Sequence, residues 1–144
     1  MPVKAGASGV IDHPVGKVFH FHAVEHVQNH PRWDPDIQLD DLTPGPMRVG
    51  KKIKRINSRS GKPVEGTMEI VEFKPDQAVT MIINDGPVKM IARATYEAED
   101  DDRTLLTMNI EFPDMDEMDT EMLVKGMQRS IRNINQLLKS EDKS

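Results

Sequence analysis

From Val88 to Glu97 the chain alternates. Val88, Met90, Ala92, Ala94 and Tyr96 fall on one parity, and Lys89, Ile91, Arg93, Thr95 and Glu97 on the other. Successive strand side chains point to opposite faces. One face here is wholly apolar and the other mostly polar, as in an antiparallel sheet covered on one side only. Leu106, Met108, Ile110 and Phe112 repeat the pattern. A one-sided sheet must bury its apolar face against another layer. The segment from about Asp116 to Lys139 is the only stretch long enough to serve. Its Leu123, Met127, Ile131, Ile134 and Leu138 follow at spacings of four, four, three and four, which makes one helical stripe. Asp116, Glu117, Asp119 and Glu121 are expected in its first turns, and Arg129, Arg132 and Lys139 toward its end. Both sets complement the helix dipole, so the acidic run needs no metal to explain it.

The remaining chain fits this frame. Residues 3 to 11 read as a first strand. Asp12-His13-Pro14 reads as a helix start with Pro14 at the first helical position. Val15, Val18, Phe19 and Phe21 to Ala23 give a short apolar-faced helix. Asn29, Pro31 and Pro35 then limit Gln28 to Asp36 to one helical turn and a loop. From Ile37 to Phe112 the chain reads as hairpins. Its turns fall at Thr43-Pro44-Gly45-Pro46, Ser60-Gly61-Lys62, Lys74-Pro75-Asp76, Asn84-Asp85-Gly86 and Asp100-Asp101-Asp102. The apolar phase slips between Ile70 and Val71, where a β-bulge is expected.

Composition narrows the function. The 144 residues suit one domain, 1–144, with the last few residues expected to be a flexible tail. No repeat or linker divides them. The chain has no cysteine, which excludes disulfides and thiolate chemistry. No apolar run approaches the roughly 18 residues of a membrane span. The opening Met1-Pro2-Val3-Lys4-Ala5-Gly6 offers no signal-peptide core, so a cytoplasmic location is expected. The formal charge of -5 argues against nucleic acid, whose binders usually carry a basic excess. The one basic run, Lys51, Lys52, Lys54 and Arg55, reads as a solvated strand edge.

Several short motifs resemble the SRPBCC superfamily, which includes START domains and pollen-allergen-like proteins. They are Ile11-Asp12-His13-Pro14, Val18-Phe19, Asn29-His30-Pro31-Arg32-Trp33-Asp34-Pro35, Pro44-Gly45-Pro46-Met47-Arg48-Val49-Gly50 and Val71-Glu72-Phe73-Lys74-Pro75. The first three resemble the polyketide cyclase/dehydrase-like branch in particular. The resemblance implies an α+β helix-grip fold. In it, a curved antiparallel sheet of about seven strands wraps a long C-terminal helix, with two short helices after the first strand. It also implies a cavity between sheet and helix, but it selects no reaction.

Within that frame, Trp33 is a wall or lid of the cavity, or equally a core anchor. Met68, Met81, Met90, Met108 and Met127 are its candidate lining, since flexible thioethers adapt to varied apolar ligands, or equally, taken singly, the filling of an ordinary core. Ala92 and Ala94 leave room above the sheet, unless the helix packs closely there. Tyr96 shares their face and could orient a ligand or act as an acid, although a strand-end hydroxyl in water is the favoured reading. Asp34, near the lid, could be a base but reads first as a turn residue. His22, His26 and His30, at i, i+4 and i+8, would share a helix face and could bind a metal. Because Pro31 follows at once, a polar, partly exposed face is expected instead, with no metal and no cofactor. Three functions remain: binding of a small apolar molecule, a cyclase, aromatase or dehydratase using Tyr96 and Asp34, or a protein-interaction domain with a collapsed cavity.

Overall fold

The computed structural model describes residues 2–142. The expected C-terminal tail, at Lys143 and Ser144, lies outside the described residues. The seven strands are β1 (Val3–Ile11), β2 (Ile37–Asp41), β3 (Lys52–Asn57), β4 (Val64–Lys74), β5 (Ala78–Asp85), β6 (Val88–Asp100) and β7 (Arg103–Phe112). They form one antiparallel sheet in the order β1-β7-β6-β5-β4-β3-β2. β1 and β2 are therefore opposite edges. The chain between them crosses the whole sheet through α1 (Val15–Phe19), a wide π-helical turn (His20–Val24) and α2 (His26–Trp33). This is the helix-grip arrangement, closed by the long α3 (Glu121–Asp142).

The expected bulge is present. Pairing of β4 with β5 slips between Ile70 and Glu72, leaving Val71 exposed. The slip returns Phe73 to the core side, where its ring meets Phe19 at 5.3 Å. The helix stripe is also as expected: Met127, Ile131, Ile134 and Leu138 are buried. Burying each such side chain is worth about 1.5–3 kcal/mol, enough to dock α3 without help from propensity. It packs closely on β1 at Gly9, where an added Cβ would stand 2.8 Å from Ile131 Cγ2. Thus α3 lies tight against one sheet edge and spans the groove beside it.

Four local expectations are corrected. Pro14 is extended (ψ 151°) and precedes α1 as its N-cap, so the helix starts at Val15. α2 is two turns, not one, and Pro31 lies inside it. The lost Pro31 N–H is offset by tertiary bonds: Asn29 Nδ2 donates to Phe21 O at 3.0 Å, and Asn133 Nδ2 of α3 donates to Trp33 O at 3.0 Å. The acidic residues before Glu121 precede α3, and the Asp119 carboxylate accepts the Glu121 N–H at 3.0 Å. Finally, the basic run is neither an edge nor wholly solvated. β3 lies between β2 and β4, and Lys51 and Arg55 are buried. Lys51 Nζ donates to the Asp41 carboxylate and to the carbonyls of Thr43 and Gly45 at 2.7–2.8 Å, pinning the Pro44-Gly45-Pro46 loop.

Candidate functional site

The groove between the sheet and α3 is not filled. A cavity of about 370 Å³ remains, which answers the expectation of a collapsed interior. Strand parity decides what faces it. β5 and β6 present Met81 and Ile83, then Met90, Ala92 and Ala94. Met68 of β4 and Met108 of β7 flank them, and Met127 of α3 faces them from above. Ala94 stands in register with Val79 and Met108, two more lining residues, so its small side chain leaves open the middle of the floor. Above this floor Gly126 of α3 also faces the cavity, and an added Cβ there would meet nothing within 4 Å.

The other end of the cavity is polar. Here α2 supplies Trp33, His26 and His30, and the π-helical turn supplies His22. Within that turn Glu25 N–H donates to His20 O at 2.9 Å, a span of five residues. Wide turns of this kind are often found at functional sites. Trp33 is the centre of a ring cluster. It stacks on His30 (5.1 Å, 14°) and lies beside His22 (5.0 Å, 31°), His26 and Phe21.

Two of the three histidines depart from the partly exposed face expected of them, while His30 is half-buried. His22 and His26 are 5% and 4% exposed. Burial lowers the His22 imidazole to about 3 and His26 to about 4, and holds His30 well below its ordinary value. All three are neutral near pH 7. His26 Nδ1 lies 2.8 Å from His22 O, and His30 Nδ1 lies 2.9 Å from His26 Nε2. These nitrogens are used within the protein. Among the described residues no group of three or more His, Cys, Asp or Glu side chains is placed to hold a metal ion.

Tyr96 departs from expectation too. Its hydroxyl is not in water: the residue is 5% exposed, and the hydroxyl bonds His22 Nδ1. Its ring packs edge-on against Phe19 at 5.0 Å. Burial raises its pKa well above the ordinary value, so it stays a phenol. It is not in the cavity wall but stands behind His22. Asp34 does line the cavity, and there it pairs with Arg59. Tyr96 and Asp34 thus engage separate partners and form no acid–base pair with each other.

One part of the site was missed by sequence reasoning. Arg55 lines the cavity and donates to both Asp85 oxygens, at 2.9 and 3.1 Å. Asn57 Nδ2 adds a bond to Asp85 at 3.0 Å. Arg55 and Asp85 both pair in register with Gly66 on the intervening β4, so the ion pair closes over a residue without a side chain. The signal was available: Arg55 shares the parity of Ile53.

A curved seven-stranded sheet around a long helix, with an open cavity between them, defines the helix-grip fold. It is the fold of the SRPBCC superfamily, and solved structures with this fold superpose along nearly the whole chain. Ara h 8.0201 matches with a TM-score of 0.78 at 16% identity, covering 97% of this chain and 99% of its own. A START superfamily protein from Mycobacterium smegmatis matches with a TM-score of 0.70 at 11% identity, covering 96% and 95%. A Thalictrum flavum norcoclaurine synthase point mutant, in complex with a transition-state analogue, matches with a TM-score of 0.75 at 12% identity, covering 100% and 98%. At such identities the likeness is one of fold. No family model matches the sequence, and no curated protein matches it. Among the described residues no helix is long and apolar enough to cross a membrane.

Proposed function

We propose that the protein binds a small, mainly apolar molecule in the cavity between the sheet and α3. One observation carries this reading. About 370 Å³ stays open inside the grip, with an apolar floor that includes Met68, Met81, Met90, Ala92, Ala94 and Met108, and a polar end at the histidines. That volume is in the range of small-molecule sites, and such a floor binds mainly by burying area. In this reading Trp33, Met68, Met81, Met90, Ala92, Ala94, Met108 and Met127 touch the ligand, and Tyr96 acts from behind through His22. The chain from 1 to 144 works as one carrier or sensor domain in the cytoplasm. The norcoclaurine synthase neighbour, held with a transition-state analogue, supports the idea that such a grip can enclose an organic molecule.

An acid–base enzyme of the cyclase, aromatase or dehydratase kind is the second reading. Three cavity-lining histidines with lowered pKa values favour it. The test of the first reading is a titration with the neutral apolar fluorophore N-phenyl-1-naphthylamine. Saturable one-to-one binding is expected, weakened more than about tenfold in Ala94→Phe, a loss of about 1.4 kcal/mol. The variant should keep its circular dichroism. Unchanged binding in a folded Ala94→Phe protein would place the site elsewhere.

A further inference from the structure

The histidine cluster specifies more than a polar end, because its hydrogen bonds fix where each proton sits. Tyr96 carries a buried O–H whose partner is His22 Nδ1. A buried hydroxyl left without an acceptor is costly, so the phenol donates and Nδ1 carries a lone pair. Neutral His22 then has its proton on Nε2. His26 Nδ1 faces the His22 carbonyl, which only accepts, so Nδ1 is the protonated nitrogen and Nε2 has the lone pair. His30 Nδ1 stands against that lone pair and must donate to it, which leaves a lone pair on His30 Nε2. The array therefore ends in two unlike groups, an N–H on His22 and a bare acceptor nitrogen on His30. Both residues line the cavity.

The charges at this end do not call for an anion. Arg55 is matched by Asp85 and Arg59 by Asp34. Asp36 and Arg129 are exposed. A carboxylate brought in here would be desolvated against a lone pair, with Arg55 and Arg59 already engaged and Arg129 exposed to solvent. We propose that the ligand carries a neutral hydroxyl head group, phenolic or enolic, that accepts from His22 Nε2–H and donates to His30 Nε2. This rests on the apolar-cavity reading above and adds the chemistry of the polar end. Burial keeps all three rings neutral, and so keeps this polarity, throughout the neutral pH range.

Two measurements on the wild-type protein test it. Long-range proton–nitrogen NMR at neutral pH reads each tautomer directly. The expected pattern is Nε2–H for His22 and Nδ1–H for both His26 and His30. Nδ1–H on His22 or Nε2–H on His30 would overturn the proposal. The second is an NMR titration with 2-naphthol, 2-methylnaphthalene and 2-naphthoate, which share one ring system. 2-Naphthol should bind at least about tenfold tighter than either of the others, equivalent to about 1.4 kcal/mol. In His30→Phe, which keeps an aromatic ring beside Trp33, that preference should vanish while 2-methylnaphthalene still binds. Equal wild-type affinities for 2-naphthol and 2-methylnaphthalene would refute the head group and leave the apolar cavity standing. Tightest binding of 2-naphthoate would show an anionic head group instead. No binding of any of the three would refute both readings.

Discussion

Lowering the pH should unfold this protein from its histidine cluster before its carboxylates matter. In the folded chain His22 is lowered to about 3 and His26 to about 4, each from 6.5, by burial. His30 is lowered in the same direction, burial again the main cause, with the charges of Arg55 and Arg59 adding to it. The unfolded chain takes up these protons near 6.5 and the folded chain does not. Stability is therefore complete above about 6.5 and falls as pH drops below it, levelling only near the folded values. Each fully resisting histidine contributes a slope of about 1.4 kcal/mol per pH unit, and two together about 2.7. A domain of this size has roughly 5–15 kcal/mol to lose, so unfolding is expected around pH 4–5. The carboxylates held low by partners, such as Glu72 beside Arg93 and Thr80, act only at lower pH. The window from about 6.5 to about 5 is therefore the histidines' own. Urea denaturation across that window measures the slope directly. His26→Gln, which can still donate to His22 O and accept from His30, should reduce the slope by about one histidine's share. A flat stability between those pH values would show that the rings are hydrated, and the burial argument would fail.

Two further outcomes test the walls of the cavity. Asp85→Asn strands the buried Arg55 charge and should cost about 3–5 kcal/mol in urea denaturation, with Arg55→Met/Asp85→Leu recovering most of it; a cost under about 1 would mean the pair is solvated. Gly126→Ala should raise the melting temperature by about 2–4 °C, because a mid-helix glycine gives up about 0.5–1 kcal/mol and the new Cβ meets open space. A fall in melting temperature would mean that α3 sits closer to the sheet than the cavity allows.

The large-scale design was legible because it is written in periodicity. Alternation in 88–97 and the stripe from Leu123 to Leu138 each demanded the other, and the phase slip at Ile70 located a real bulge. The polar end was not legible, because it is made by long-range meetings. Tyr96 and His22 are 74 positions apart, and Arg55 and Asp85 are 30 apart. Pro31 argued locally for a broken segment, but burial of Trp33 and the Asn133 bond kept α2 helical through it. Charged type likewise misled at Lys51 and Arg55. A lysine read as solvated is buried because three oxygens meet its ammonium. Parity, which puts Arg55 with Ile53, was the better guide.

The central claim is that the grip holds a small apolar molecule, and native mass spectrometry of the freshly purified protein tests it most directly. The account predicts a reproducible mass excess that disappears on denaturation, with an extractable organic compound of that mass. The excess should be absent from Ala94→Phe prepared in the same way. A compound retained equally by a folded Ala94→Phe protein would contradict the account, since the molecule would then lie outside the cavity.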